Sequence, residues 1–205
     1  MKRAHRIVSC LPILLFLAGC SQETKPTVQK EPEKPAEPVT ARYALQQMYI
    51  TARGWAPDAQ VLQMSSLDLK AVKSVEGKAG AWACTFVTQS RRRTRPFTYS
   101  VVAVPGSDLQ KGPAGGAEEI WVPGQTRPFF IQDVKTDAVA AYATAMKKGA
   151  EYAKKHPELP VKFLLEWTRL LRHPAWRVIW GESVALSNFS VYFDATTGEF
   201  VKIAH

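Results

Sequence analysis

Three short blocks of this chain recur in the same order, and that repetition constrains its fold more than any other feature. "HPELPVKFLLEW" (156–167) lies over "APDAQVLQMSSL" (56–67), pairing Pro157 with Pro57 and Val161 with Val61. "PAWRVIWGE" (174–182) lies over "GAWACTFVT" (80–88), pairing Ala175-Trp176 with Ala81-Trp82. "FSVYFDATTG" (189–198) lies over "FTYSVVAVPG" (97–106), pairing Phe189 with Phe97 and Gly198 with Gly106. One match of this length carries no weight, but several in order predict a duplicated unit.

Both halves show one coarse pattern. "TARYALQQMYITARGW" (40–55) and "TDAVAAYATAMKKGAEYAKKH" (136–156) are rich in alanine, free of proline and periodically apolar. They are expected to be amphipathic helices, capped by Thr40 and by Thr136 or Asp137. Strand-like runs follow at 60–69, 80–89 and 97–104, then at 161–170, 175–181, 188–194 and 199–203. Period-two reading puts Trp82, Cys84 and Phe86 on one face, and Trp176, Val178 and Trp180 on its counterpart. Cys84 thus stands where the second copy has valine, which predicts a small buried thiol. A sheet with one apolar face opposite a helix is an α+β layer pair, here expected as two tandem helix-plus-antiparallel-sheet modules.

The front of the chain bears on location. Residues 1–19 join a basic start (Lys2, Arg3, Arg6) to an apolar run too short to span a bilayer, as in a secretory leader. Leu17-Ala18-Gly19-Cys20 resembles the lipobox of bacterial lipoproteins. That resemblance implies cleavage before Cys20, a diacylglycerol on its thiol and attachment to the cell envelope. Ser21 after the cysteine favours the outer membrane, facing the periplasm. Residues 20–39, rich in proline, glutamate and lysine, are expected to form a disordered tether, because they cannot bury enough surface to offset ordering. The remaining chain divides into a first module (40–111), a linker (112–135) and a second module (136–205). With Cys10 in the leader and Cys20 lipidated, Cys84 has no disulfide partner.

The formal net charge of +9 invites a nucleic-acid reading, which the secretory leader opposes. The available partners are then anionic lipid, lipopolysaccharide, peptidoglycan or an acidic envelope protein. Arg91, Arg92, Arg93 and Arg95 crowd "QSRRRTRPF" (89–97), read as a loop. It is a solubilising loop or a contact for phosphate or carboxylate. Within the linker, Ile120–Val122 could add an edge strand with Trp121 packed across the junction. The alternative is an exposed patch of Trp121, Phe129 and Phe130. "DATTG" (194–198) reads as hairpin chemistry, with Asp194 and Thr197 serving a turn that Gly198 closes at positive φ. His156, His173 and His205 lack metal-ligand spacing, and Gly-x-Ser-x-Gly is absent. No cofactor and no catalytic residue is expected.

The order helix, strands and closing "VYFDATTGEFV" resembles the PepSY domain of secreted and membrane-associated bacterial proteins. Tyr192, Asp194, Thr197, Gly198, Glu199 and Val201 carry the likeness, with Trp176-Arg177-Val178 as the preceding strand. The first half, where "VVAVPGSD" lacks the Asp and the Thr-Gly, would be a degraded copy. Paired helix-plus-sheet units also resemble the beta-lactamase inhibitor protein architecture. The PepSY resemblance implies a non-enzymatic role, binding or inhibiting an envelope protein such as a peptidase. The alternative expectation is a structural or assembly lipoprotein touching an outer-membrane partner or anionic lipid through the basic loop.

Overall fold

A computed structural model describes residues 35–124 and 126–205. The leader, Cys20 and most of the tether lie outside them. The first half begins with β1 (Val39–Thr40), α1 (Ala41–Trp55) and β2 (Gln60–Leu67), followed by β3 (Lys78–Ala79), β4 (Ala81–Thr88) and β5 (Arg93–Ser100). Two short strands, β6 (Gly112–Gly115) and β7 (Glu119–Ile120), precede a 3-10 turn at Ile131–Asp133. Then come α2 (Ala138–Lys148), α3 (Ala150–Lys155), β8 (Val161–Thr168), β9 (His173–Trp180), β10 (Phe189–Asp194) and β11 (Phe200–Ala204). Mixed helix and antiparallel sheet make this an α+β protein.

The main sheet has the order β11-β10-β9-β8-β2-β4-β5-β6, with β7 also on β5. Every ladder is antiparallel, so the order reads outward from the β2–β8 seam in the same chain sequence on both sides. One face carries the helices, α1 over β4, β5 and β6, and α2 over β9 and β10. That face holds the core, including Trp82, Phe86, Phe97, Phe163, Trp176, Trp180 and Phe193, all almost fully buried. Cys84 is buried among them, and burial pushes its thiol pKa well up.

The tryptophans at the centre have matching roles. Trp82 Nε1 donates to the Val39 carbonyl (3.2 Å), and Trp176 Nε1 donates to the Thr136 carbonyl (2.8 Å). Each acceptor immediately precedes a helix N-cap, Thr40 for α1 and Asp137 for α2. The two rings meet edge-on with centroids 6.5 Å apart. A further bond recurs beside them, from Val101 N to the Gly80 carbonyl (2.9 Å) and from Ala195 N to the Pro174 carbonyl (3.0 Å). Buried indoles need a partner for their N–H, and here that need fixes where each helix leaves the sheet.

The ladder registers correct two of the sequence alignments. Trp82 pairs with Tyr99 and Trp176 with Phe193, so Tyr99 corresponds to Phe193, and Phe97 to Val191 rather than to Phe189. A slip of two residues keeps the same face of a strand, which is why the alternation gave no warning. Val61 and Val161 do correspond, since they pair with Phe86 and Trp180, but Leu62 is an extra residue in a β-bulge and displaces everything after it by one.

Other expectations also change. The helix expected over 136–156 breaks at Gly149, where an added Cβ would lie 2.8 Å from Phe189 Cε1. Phe189 stacks on Tyr152 at 4.4 Å, so the glycine admits a ring where a side chain would stand. Asp137, not Thr136, is the N-cap of α2, yet its side chain accepts from Arg42 N (3.3 Å) at the start of α1. The Arg42 guanidinium in turn donates to the Lys135 carbonyl. Strand pairing begins one residue before the limit expected for the tether, because Val39 pairs with Ala79. The linker begins later than residue 112, because β6 pairs with β5.

Replacing either central tryptophan by phenylalanine should destabilise the protein by about 1–3 kcal/mol, from the lost hydrogen bond and the orphaned carbonyl. Because the rings touch, Trp82→Phe with Trp176→Phe should depart from additivity. Denaturant midpoints of the three variants check both statements.

Candidate functional site

Two surfaces concentrate charged and aromatic side chains: the arginine cluster and the face of the sheet that no helix covers.

The arginines do not share a loop. Gln89–Arg92 form a tight turn, with Arg92 at φ 53°, while Arg93 and Arg95 lie within β5. Arg91 lies over the Trp55 ring (5.0 Å) and donates to the Trp55 carbonyl (3.0 Å). Arg93 Nε approaches Glu118 at 3.6 Å, Arg91 approaches the same carboxylate at 3.9 Å, and Trp55 Nε1 donates to it at 2.7 Å. Arg95 donates to the Gly116 carbonyl (2.8 Å) and covers Phe97. Three of the four cations therefore hold residues 116–118 against β5 and the end of α1. These groups are partly exposed, so each ion pair adds little stability, but together they fix a path for the chain.

The "DATTG" segment builds a second clamp. Asp194 Oδ1 accepts from Thr196 N (2.7 Å) and Thr197 N (3.0 Å), and Gly198 sits at φ 81°. The Ala195 carbonyl accepts from Lys135 N and Thr136 N, and Thr196 Oγ1 donates to the Asp133 carbonyl (2.8 Å). The turn is thus bonded to the chain entering α2, beside the carbonyl that Trp176 uses. His173 Nδ1 lies 3.2 Å from Asp194 Oδ1 without hydrogen-bond alignment, a neighbour that sequence reasoning missed. In the first half Ser100 occupies the Asp194 register, and its Oγ accepts from Val102 N (3.4 Å), a weaker version of the same turn.

Across the second half of the uncovered face Leu164, Arg177, Tyr192 and Lys202 stand opposite one another on successive strands, the last three making a polar row. Arg177 and Lys202 both lie over the Tyr192 ring, at 5.0 and 5.2 Å. Arg177 Nε also donates to Ser190 Oγ (2.9 Å). One register away, Glu166 is part-buried, and loss of solvent raises its carboxyl pKa while the Arg177 charge opposes that rise. Tyr192 is raised too, first by burial, with Arg177 opposing and Glu166 reinforcing.

Trp121, Arg127 and Phe130, with Tyr192 and Lys202 from this row, line a groove of about 1010 Å³. Trp167, Arg169, Leu170 and Glu166 line it too, and Arg127 lies over the Trp167 ring at 5.1 Å. The expected aromatic patch divides here: Phe129 is 4% exposed and pairs with Val61, whereas Phe130 is 50% exposed. Trp121 lies between, its Nε1 buried without an acceptor among the described residues. The edge strand expected at 120–122 is β7, which starts one residue and ends two residues earlier. Sequence reasoning did not assemble this groove, because its walls are distant in the chain. The available signal was the aromatic and basic character shared by "TRPFF" and "EWTRLL".

Among the described residues no group of three or more His, Cys, Asp or Glu could hold a metal ion, and no helix is long and apolar enough to cross a membrane. No family model, no curated protein and no solved structure matches the chain.

Glu166 offers a direct check of the groove's electrostatics. A carboxyl whose folded pKa is raised costs nothing below its unfolded pKa and destabilises as pH rises through the folded value. Glu166→Gln should therefore raise the melting temperature at about pH 7 and leave it unchanged at about pH 4 or below, where the wild-type carboxyl is largely protonated in both states.

Proposed function

We propose that this protein is a lipid-anchored, periplasm-facing binding or inhibitory protein, non-enzymatic, acting on an envelope protein such as a peptidase. In this reading Cys20 carries the lipid, the outer membrane is the anchoring surface, and the two halves are copies of one PepSY-like unit. The repeated indole-to-carbonyl bond supports the copy relation, because string similarity alone would not select the same buried hydrogen bond twice. The observation that carries the function is the uncovered face: a rigid antiparallel sheet presenting cations, half-exposed aromatics and an apolar rim in one groove. Such a surface suits recognition of another macromolecule.

The alternative, an assembly lipoprotein touching anionic lipid through the basic loop, has less support. Arg91, Arg93 and Arg95 are already committed to Glu118, Trp55 and Gly116. Phosphate binding there would have to displace contacts that hold the chain's own path.

Membrane fractionation tests the anchor. Acyl chains contribute about 0.8 kcal/mol per buried methylene, so wild type should stay in the membrane pellet through a high-salt wash. Cys20→Ala should move to the soluble fraction. A variant that still sediments with membranes would remove the lipid anchor from this reading.

A further inference from the structure

We propose that the groove binds an extended acidic peptide segment with interspersed apolar side chains, gripped by Arg127, Arg169 and Lys202. This rests on the binding-protein reading above and names the chemistry of the partner.

Charge is the first argument. Arg127, Arg169 and Lys202 line the groove, and Glu166 is the acidic residue among its described lining. The ion pairs of the described residues lie elsewhere, at Glu118, Lys162, His156 and His173, so these three cations enter none of them. Two of them are nonetheless positioned: Arg127 lies 5.1 Å from the Trp167 ring centroid and Lys202 lies 5.2 Å from that of Tyr192. Cations docked on rings lose less freedom when an anion arrives than cations waving in solvent.

Shape and backbone chemistry then choose a peptide over a lipid headgroup. The cations sit around a recess of about 1010 Å³, rather than on a protruding surface that a bilayer could meet. Phe130 and Leu170, 50% and 65% exposed, give its rim apolar contacts for alternate side chains. Val201 and Lys202 lie on β11, the last strand of the sheet, whose outer edge faces no neighbouring strand among the described residues. An edge strand offers main-chain donors and acceptors that an extended peptide can match. Trp121, which also lines the groove, adds a buried N–H without an acceptor among the described residues.

The test uses the full chain in detergent and fluorescein-labelled peptides of strand length, about six residues. One peptide alternates Glu with Val, and its control alternates Lys with Val. The Glu peptide should raise fluorescence anisotropy, with affinity falling as salt rises, and the Lys peptide should not bind. Arg169→Glu, in an exposed turn, and Lys202→Glu should each weaken binding by about tenfold or more while the melting temperature holds. Equal binding of the two peptides, no binding of the Glu peptide, or indifference to both substitutions would overturn the proposal. So would variant-sensitive binding to vesicles of phosphatidylglycerol in phosphatidylcholine without peptide binding, which would assign the groove to lipid. If the Glu peptide fails while wild type still crosslinks to an envelope protein that Arg169→Glu retains, the groove assignment falls and the binding-protein reading stands. If the peptide binds as expected while Cys20→Ala leaves membrane attachment unchanged, the groove stands and the anchor falls.

Discussion

The structure depends first on two buried indole N–H groups that must find acceptors. In both halves the acceptor is the carbonyl just before a helix cap, so one hydrogen bond ties the second layer to the sheet. Around these bonds the helix starts are braced to each other, through Asp137 on Arg42 N and the Arg42 guanidinium on Lys135. The edge-on contact of Trp82 and Trp176 then closes the core across the seam. A polar requirement inside an apolar interior thereby sets the geometry that hydrophobic burial alone would leave loose.

Positive charge is used in two different ways on this molecule. On the first half it is consumed internally: Glu118 gathers Arg91, Arg93 and the Trp55 indole, and the path of residues 116–118 follows. On the second half Arg177 and Lys202 bracket the Tyr192 ring, and Arg127 covers Trp167. Arg127 and Lys202 rest on aromatic faces, not on carboxylates, and keep their charge available, whereas the charge of Arg177 also acts on Glu166. A charge count on the sequence cannot separate the two uses, because the distinction lies in which partners the fold brings close.

Much of the architecture was legible in the residues, and the misses have physical causes. Alternation located the buried faces of β4 and β9, and Thr40 announced the start of α1, where its Oγ accepts from Tyr43 N. Alternation cannot detect a slip of two, so Phe97 was matched to Phe189 although the ladders match it to Val191. Leu62 looked like an ordinary strand residue, since a bulge is a property of the pair of strands and not of either one. Gly149 looked tolerable inside an alanine-rich helix, because the ring that requires it, Phe189, comes much later in the chain. The arginines at 93 and 95 were read as loop because charged residues suit loops, yet they lie on β5 near the sheet's margin, where long side chains reach solvent. The groove needs Trp121, Arg127 and Phe130 beside Glu166, Trp167, Tyr192 and Lys202, and no local pattern carries that proximity.

The seam between β2 and β8 has a consequence for the order of events when the chain folds. Within each half the strands pair with near neighbours in sequence, whereas the seam joins Gln63, Met64 and Ser65 to Glu166, Leu165 and Leu164. Closing so long a loop costs entropy that only a few ladder pairs and the tryptophan contact return. Local pairing therefore precedes the seam, and the seam turns two partly formed sheets into one cooperative unit. Until it closes, both inner strands present bare edges, so the interval before closure is when this chain is most exposed to pairing with another copy of itself.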